Sequence, residues 1–253
     1  MTRPIITLTT DFGQSEAWVG QMKGTILGIC PEATVVDLAH GVPPQDVRAG
    51  AYLLECGAGA FPPGTIHVGV VDPGVGTARR GVVLRSGRAL YVGPDNGLFS
   101  RILEREGLEA GFALEASHLS LPSVSPTFAG RDVFAPAAAW LARGIAPESF
   151  GPPVADPVRL FRTHGPVVPV ILVDRFGNVV LDVRADELGN RGVARAETPA
   201  GPVTRTVQTF AEAGEGEPVL LVNSAGYLEI AVREGRADER LGLARGSEVT
   251  LSF

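Results

Sequence analysis

Thr65-Ile-His-Val-Gly-Val-Val71 runs directly into Asp72-Pro-Gly-Val-Gly-Thr77. A short, nearly unbroken apolar run fits a strand covered on both sheet faces, and such strands belong to α/β layers. The same texture recurs on either side. Ile5-Ile-Thr-Leu-Thr-Thr10 and Thr34-Val-Val-Asp-Leu38 read as strands. Between them Glu16 to Cys30 reads as a helix with apolar positions at Val19, Met22, Ile26 and Ile29. Asp46 to Cys56 reads as a second helix, with Val47, Ala51 and Leu54 on one face. Gly81 to Arg85 and Ala89 to Val92 follow as shorter strands, and Phe134 to Arg143 as an alanine-rich helix. The β-α-β-α-β order predicts an α/β amino-terminal domain with a largely parallel sheet.

From Gly144 to Pro169 the texture changes, with prolines at 147, 152, 153, 157, 166 and 169 that break any long helix or central strand. Beyond it the chain reads as hairpins. Val170 to Asp174 and Val179 to Val183 flank Arg175-Phe-Gly-Asn178, and Pro218 to Asn223 and Tyr227 to Val232 flank Ser224-Ala-Gly226. Val249 to Phe253 ends the chain as a strand. The expected organisation is an α/β domain over residues 1–150, a proline-rich linker over 151–168 and a smaller carboxy-terminal β domain over 169–253.

Composition narrows the function classes. With 253 residues, 45% of them hydrophobic and 20% charged, the chain can bury a sizeable core and is not a disordered one. A net charge of −6 argues against a nucleic-acid binder, which needs a basic surface to neutralise phosphates. Lys23 is the only lysine, so lysine-based chemistry is excluded almost everywhere. No apolar run approaches the ~18 residues of a membrane span, and the strand pattern begins by Ile5, without room for a signal peptide. Two cysteines, Cys30 and Cys56, supply neither a disulfide framework nor a four-thiolate zinc site. A cytoplasmic protein without membrane or nucleic-acid partners is the expectation.

Three strands run into loops that carry a carboxylate beside glycine: Asp11-Phe-Gly13, Asp72-Pro-Gly-Val-Gly-Thr77 and Pro94-Asp-Asn-Gly97. In open α/β sheets the carboxyl edge of the strands is where ligands bind, although Asp and Gly also serve plain turns. Gly74-Val-Gly76 has the wrong spacing for a dinucleotide loop, and no Gly-Lys-Ser/Thr exists for a P-loop. The four histidines, His40, His67, His118 and His164, lack paired metal-ligand spacing; His67, inside an apolar strand, reads as a packed core imidazole. No metal is selected, and no Gly-x-Ser-x-Gly elbow occurs.

The ordered motifs Thr10-Asp-Phe-Gly13, Val35-Val-Asp37 with His40, Val71-Asp-Pro-Gly-Val-Gly-Thr77 with Arg79, Gly93-Pro-Asp-Asn-Gly97, Thr127-Phe128 with Gly130-Arg-Asp132, Asp174 with Phe176-Gly-Asn178, and Asn223-Ser224 with Gly226-Tyr-Leu228 span the chain from about residue 6 to its end. In these the chain resembles the S-adenosyl-L-methionine (SAM) hydroxide adenosyltransferases, relatives of fluorinase and chlorinase. The resemblance implies a homotrimer with the ligand between the amino-terminal domain of one subunit and the carboxy-terminal domain of its neighbour. The implied reaction takes SAM and water to adenosine and L-methionine; SAM is the substrate, and no cofactor is implied.

The residue roles implied by the resemblance are specific. Asp72 and Arg79 match the family's catalytic pair. Asp11 matches the ribose-hydroxyl contact; taken alone it also reads as a helix cap ahead of Glu16. Asp174 and Ser224 match contacts to the methionine ammonium and carboxylate, Asn178 an adenine contact and Phe210 a base-packing ring; taken alone, Asn178 is a turn residue and Phe210 a core one. Gln45 stands where the halogenases have tryptophan, and Arg233 where asparagine is common, at the loop closing over adenine. Arg131 and Asp132 read as a structural ion pair or cap. Hydroxide-transferring members read Thr-Phe-His-Gly-Arg-Asp where this chain reads Thr127-Phe-Ala-Gly-Arg-Asp132, so Ala129 stands in the histidine's place. A slow or altered hydrolase is the leading expectation, with a non-catalytic SAM or adenosine binder as the alternative. Halide transfer is the weaker third reading, because the halogenating relatives carry tyrosine where this chain has Asp72.

Overall fold

The computed structural model describes residues 3–115, 125–160, 165–189 and 192–253. His118 and His164, and part of the expected linker, lie outside these residues. The chain divides into two compact units, Met1–Leu160 and Phe161–Phe253.

In the first unit the strands are β1 (Ile5–Thr10), β2 (Thr34–Ala39), β3 (Ile66–Val70), β4 (Gly81–Ser86), β5 (Ala89–Pro94) and β6 (Ala110–Leu114). They form one sheet in the order β2-β1-β3-β5-β4-β6. β2, β1, β3 and β5 are mutually parallel, whereas β4 runs antiparallel to both β5 and β6. The sheet is thus mixed: a parallel block is extended by an antiparallel pair.

Helices α1 (Trp18–Ile29), α2 (Val47–Ala58), α3 (Ser100–Glu106) and α4 (Ala135–Ala142) belong to the same unit. One core joins Ile6, Leu8, Val68, Val70 and Val92 of the strands to Met22 and Ile26 of α1 and to Ala135, Ala138 and Ala139 of α4. Small alanines let α4 approach closely, and each fully buried Ile or Leu contributes about 1.5–3 kcal/mol. Asp46 caps α2 by accepting from the Ala49 N–H at 2.9 Å. The helix α1 starts at Trp18, two residues after the sequence boundary, without a side-chain cap.

Ahead of α4 the residues Gly130–Phe134 form a π-helical turn, with the Ala135 N–H reaching the Gly130 carbonyl. Pro136 has no N–H to return to Asp132, which removes the α-helical bond that would otherwise hold this turn in register. Residues 150–154 lie along β6: the Ala113 N–H donates to the Pro152 carbonyl at 2.9 Å and the Val154 N–H to the Gly111 carbonyl at 2.7 Å. Residues 156–160, within the stretch read as linker, also hydrogen-bond into this unit through Arg80, Asp95 and Ser100.

The second unit is built on β7 (Val167–Val173), β8 (Val179–Arg184), β9 (Arg195–Thr198), β10 (Gly201–Val203), β11 (Pro218–Val222), β12 (Tyr227–Val232) and β13 (Glu248–Ser252), with a short helix α5 (Ala237–Leu241). The order is β10-β9-β13-β7-β8-β12-β11, with every paired strand antiparallel. Residues 205–207 continue from β10 and run beside β11, with the Val207 N–H donating to the Leu220 carbonyl at 2.9 Å, so the sheet curls toward a closed barrel. Val168, Val179, Leu181, Ile230, Val249 and Leu251 fill its interior. Both hairpins read from the sequence are present. The short elements α3, β6, β9, β10 and α5 carry weaker sequence patterns and are additions.

Candidate active site

The parallel block of the first unit has its crossover switch at β1. From β1 the chain passes through α1 to β2 on one side, then through α2 to β3 on the other. The crevice beside the carboxyl ends of β1 and β3 is the position where such sheets bind ligands. Asp11 follows β1, His40 follows β2, Asp72 follows β3 and Asn96 follows β5, all at that edge.

Asp72 and Arg79 meet in the loop after β3. Arg79 Nε donates to Asp72 Oδ1 at 2.8 Å and its Nη2 donates to Oδ2, a two-pronged charge-assisted pair. The Asp72 side chain is 5% exposed and that of Arg79 17%, so the pair is sheltered from bulk water. The guanidinium also lies over the Phe134 ring, 5.3 Å from its centroid. Thr77 ties the loop down, its hydroxyl donating to the Gly74 carbonyl at 2.7 Å. Asn96 holds the base of the loop, donating to the Val71 carbonyl at 2.8 Å. Gly76 has φ +79°, and a Cβ there would stand 2.9 Å from the Pro126 carbonyl oxygen. The Pro126 carbonyl therefore lies directly against the Asp72–Arg79 loop, three residues before Ala129, which caps the π-helical turn.

Arg131 and Asp132 form a mutual pair, Nε to Oδ1 at 2.6 Å and Nη2 to Oδ2 at 2.9 Å, with Arg131 also donating to Gln21 Oε1. Asp132 accepts from the Ser125 N–H at 2.8 Å, which anchors the same segment. The Arg131 hydrogen bond, opposed by partial burial, lowers the Asp132 pKa. Asp95 lies at the edge but is committed to structure: it accepts from Arg80 Nε and from the Val158 N–H.

Asp11 is not a helix cap. Its Oδ2 accepts from the main-chain N–H of Gln45 at 2.8 Å, and Gln45 adopts φ 63°. Phe12 packs edge-on against Trp18 and Phe128 at centroid distances of 5.9 and 5.8 Å. His67, as expected, is a core residue: Nδ1 lies 2.8 Å from the Thr7 hydroxyl, the ring stacks on Tyr91 at 5.2 Å, and burial pushes its pKa down to about 4. Among the described residues no cluster of histidine, cysteine and carboxylates has metal-binding form.

In the second unit Asp174 and Asn178 share one turn. Asp174 Oδ1 accepts from the N–H groups of Phe176 and Asn178, both at 2.8 Å, and Oδ2 accepts from Asn178 Nδ2 at 3.0 Å. The turn presents Phe176, 74% exposed, at its apex. Arg236 and Asp238 brace it from behind, donating to the carbonyls of Arg175 and Gly177 at 3.1 Å. Phe210 and Arg233 form a second group. Phe210 is 47% exposed on a short helical turn, and Arg233 Nη1 donates to the Ala213 carbonyl at 2.8 Å, at the end of that turn. Ser224 sits on a separate turn before β12, shaped by Asn223 Oδ1 accepting from the N–H groups of Ala225 and Tyr227. Asn223 Nδ2 in turn donates to Glu229 Oε2 at 3.2 Å. Glu229 is 5% exposed; burial and the nearby Asp174 charge raise its pKa, against the lowering by Asn223. Sequence reasoning passed over Glu229, because an acidic residue in a strand of alternating pattern reads as solvent-facing.

Residues 6–151 match the family described as SAM hydroxide adenosyltransferase N-terminal domain, and residues 168–250 match the corresponding C-terminal domain. A protein of Thermus thermophilus named (R)-S-adenosyl-L-methionine hydrolase is 44% identical, covering 98% of this chain and 99% of that one. One of Salinispora arenicola with the same name is 38% identical, covering 98% of each chain. A solved structure of an uncharacterized conserved protein from Thermotoga maritima has a TM-score of 0.89 at 32% identity, covering 98% of this chain and all of that one.

Proposed function

The chain belongs to the SAM hydroxide adenosyltransferase family, and on that premise we propose that it transfers the 5′-adenosyl group of SAM to water, giving adenosine and L-methionine. The observation that carries the chemistry is the sheltered Asp72–Arg79 pair at the switch-point edge of the sheet. The water oxygen forms a bond to C5′ while the C5′–S bond breaks. Its electron pair goes to sulfur, so a sulfonium cation leaves as a neutral thioether and needs no acid. Water needs help on the other side, since with a pKa of ~15.7 it must shed a proton as it attacks.

Asp72 is the group that takes that proton. An ionised carboxylate offers about four acceptor sites, and Arg79 uses one on each oxygen, which leaves acceptor sites for the water's hydrogen. Arg79 has N–H donors beyond the two on Asp72, and these orient the water oxygen and stabilise its growing negative charge. With Ala129 in the histidine's place, no imidazole from residues 125–132 assists the transfer. Asp11 Oδ1 receives the ribose hydroxyls while Oδ2 stays on Gln45. Asp174 and Ser224 receive the methionine end, and Asn178, Phe210 and Arg233 the adenine. A homotrimer in a cytoplasmic setting, using no cofactor, belongs to the same proposal; among the described residues no helix is long and apolar enough to cross a membrane.

Chromatography of SAM incubations tests the reaction. Adenosine and methionine are expected in equal amounts with wild type, and adenosine formation is expected to fall at least about a hundredfold with Asp72→Ala. Equal rates for the two proteins would sink the assignment of Asp72. A sedimentation mass near three times 26.4 kDa is the expected result for the assembly.

A further inference from the structure

We propose that His40 is a positioning residue, clamped between Asp37 and Thr10, that fixes the Thr10–Gly13 backbone and thereby the place of Asp11. The inference rests on the assignment of Asp11 to the ribose given above. His40 Nε2 lies 2.9 Å from Asp37 Oδ1, and Nδ1 lies 2.9 Å from the Thr10 hydroxyl. Thr10 Oγ1 accepts from the Phe12 N–H at 3.2 Å, and the His40 carbonyl accepts from the Gly13 N–H at 2.8 Å. The two residues flanking the Asp11–Phe12 link are thus both tied, directly or through one hydroxyl, to a single residue on the connection after β2.

The contacts run unbroken from the outer carboxylate to the buried loop. Asp37 is charged: partial burial works against its ionisation, but hydrogen bonds from His40 and from Lys23, the latter at 2.7 Å, win and lower its pKa. A carboxylate only accepts, so Nε2 carries a hydrogen and donates. Nδ1 meets the Thr10 hydroxyl, whose oxygen also accepts from the Phe12 N–H. Thr10 is fully buried and His40 3% exposed, so water cannot substitute for any inner member. The outer end is open, with the Lys23 and Asp37 side chains 34% and 40% exposed. Gln45, on the same connection, supplies the N–H that holds Asp11 Oδ2. One segment, residues 37–45, therefore holds the Asp11 loop at its entry, along its backbone and at the carboxylate itself.

The test uses Thr10→Val, which keeps the shape and removes the hydroxyl, with Thr10→Ser as the restoring variant. Amide hydrogen exchange at Phe12 and Gly13 reads the clamp without reference to catalysis. Thr10→Val is expected to speed it about three- to tenfold, and Thr10→Ser to return it toward wild type. Unchanged exchange in Thr10→Val overturns the clamp. Calorimetry with adenosine and 2′-deoxyadenosine reads the ribose. Wild type is expected to prefer adenosine by about tenfold, and Thr10→Val to lose most of that preference. A preference that survives loosened exchange overturns the link from clamp to ribose. A wild type with no preference removes the assignment of Asp11, while the exchange data still decide the clamp. If Thr10→Val does not fold, Asp37→Ala breaks the relay at its open end, and the same rise in exchange is expected.

Discussion

The main-chain N–H of Gln45 reaches Asp11 Oδ2 at 2.8 Å, and Gln45 holds a left-handed φ of 63° in doing so. A side chain in that region is strained by about 1–3 kcal/mol, a cost that a glycine in its place would not carry. Gln45→Gly is therefore expected to stabilise the protein by about 0.5–1 kcal/mol after its greater unfolded-state freedom is subtracted. Gln45→Val, branched at Cβ, is expected to destabilise by more than that. Melting temperatures falling from the glycine variant through wild type to the valine variant would bear this out, and the reverse order would contradict it.

Asp72 and Arg79 differ in what each loses when the other is removed. Asp72→Asn leaves a partly buried guanidinium without its counter-charge and is expected to cost about 2–4 kcal/mol of stability as well as activity. Adding Arg79→Met to that variant is expected to restore part of the stability and none of the turnover. Denaturation midpoints and adenosine release, measured on wild type, both single variants and the double variant, separate the two effects.

His67 makes stability fall on acidification. In the unfolded chain it takes a proton near pH 6.5, whereas in the fold it stays neutral down to about pH 4. Its contribution is complete above pH 6.5 and is lost between pH 6.5 and 4, on the order of 3 kcal/mol in all. His67→Asn is expected to flatten the stability profile across that window relative to wild type. Parallel profiles would show that His67 is not the group responsible.

Glu229 acts in the opposite sense. Its folded pKa lies above the ordinary 4.5, because burial and Asp174 disfavour the charge. Wild type therefore has its full share of stability from this group below pH 4.5 and loses it as pH rises through the folded value. Glu229→Gln keeps an acceptor for Asn223 and removes the charge. It is expected to melt higher than wild type at pH 8, with the difference closing toward pH 4.5.

If Ala129 limits proton transfer, Ala129→His raises the rate of adenosine formation at saturating SAM, by tenfold or more if the imidazole acts as a general base. An unchanged rate would place the whole of the proton transfer on Asp72.

The parallel block, both carboxy-terminal hairpins and the edge carrying Asp11 and Asp72 were legible from residue order, because buried strands and glycine-flanked turns leave dense local patterns. The direction of β4 was not, since an apolar hairpin strand and a crossover strand look alike over six residues. Arg131 with Asp132 could be read as a pair from adjacency alone. The contacts of Asp11 with Gln45 and of His40 with Thr10 could not, for they join residues 34 and 30 positions apart through the tertiary fold. Family resemblance supplied the roles expected of Asp174, Asn178, Ser224, Phe210 and Arg233, whose local sequence says only turn, core or surface.

The reversal of β4 confines the Asp72–Arg79 pair to one short arch. A parallel successor to β3 would have to recross the sheet through a dozen or more residues, usually a helix. It would then enter at the opposite edge. Because β4 instead begins where β3 ends, beside the carboxyl end of β5 at the Gly81–Pro94 pairing, residues 71–80 leave and re-enter the sheet on one side. Both feet of that arch are fixed by strand pairing, and its apex is pinned where Gly76 meets Pro126 and Thr77 meets Gly74, so Asp72 and Arg79 are held between two fixed ends and a fixed crown. A change at Asp72 or Arg79 is thereby felt within ten residues of chain, with the strands beneath left as they stand.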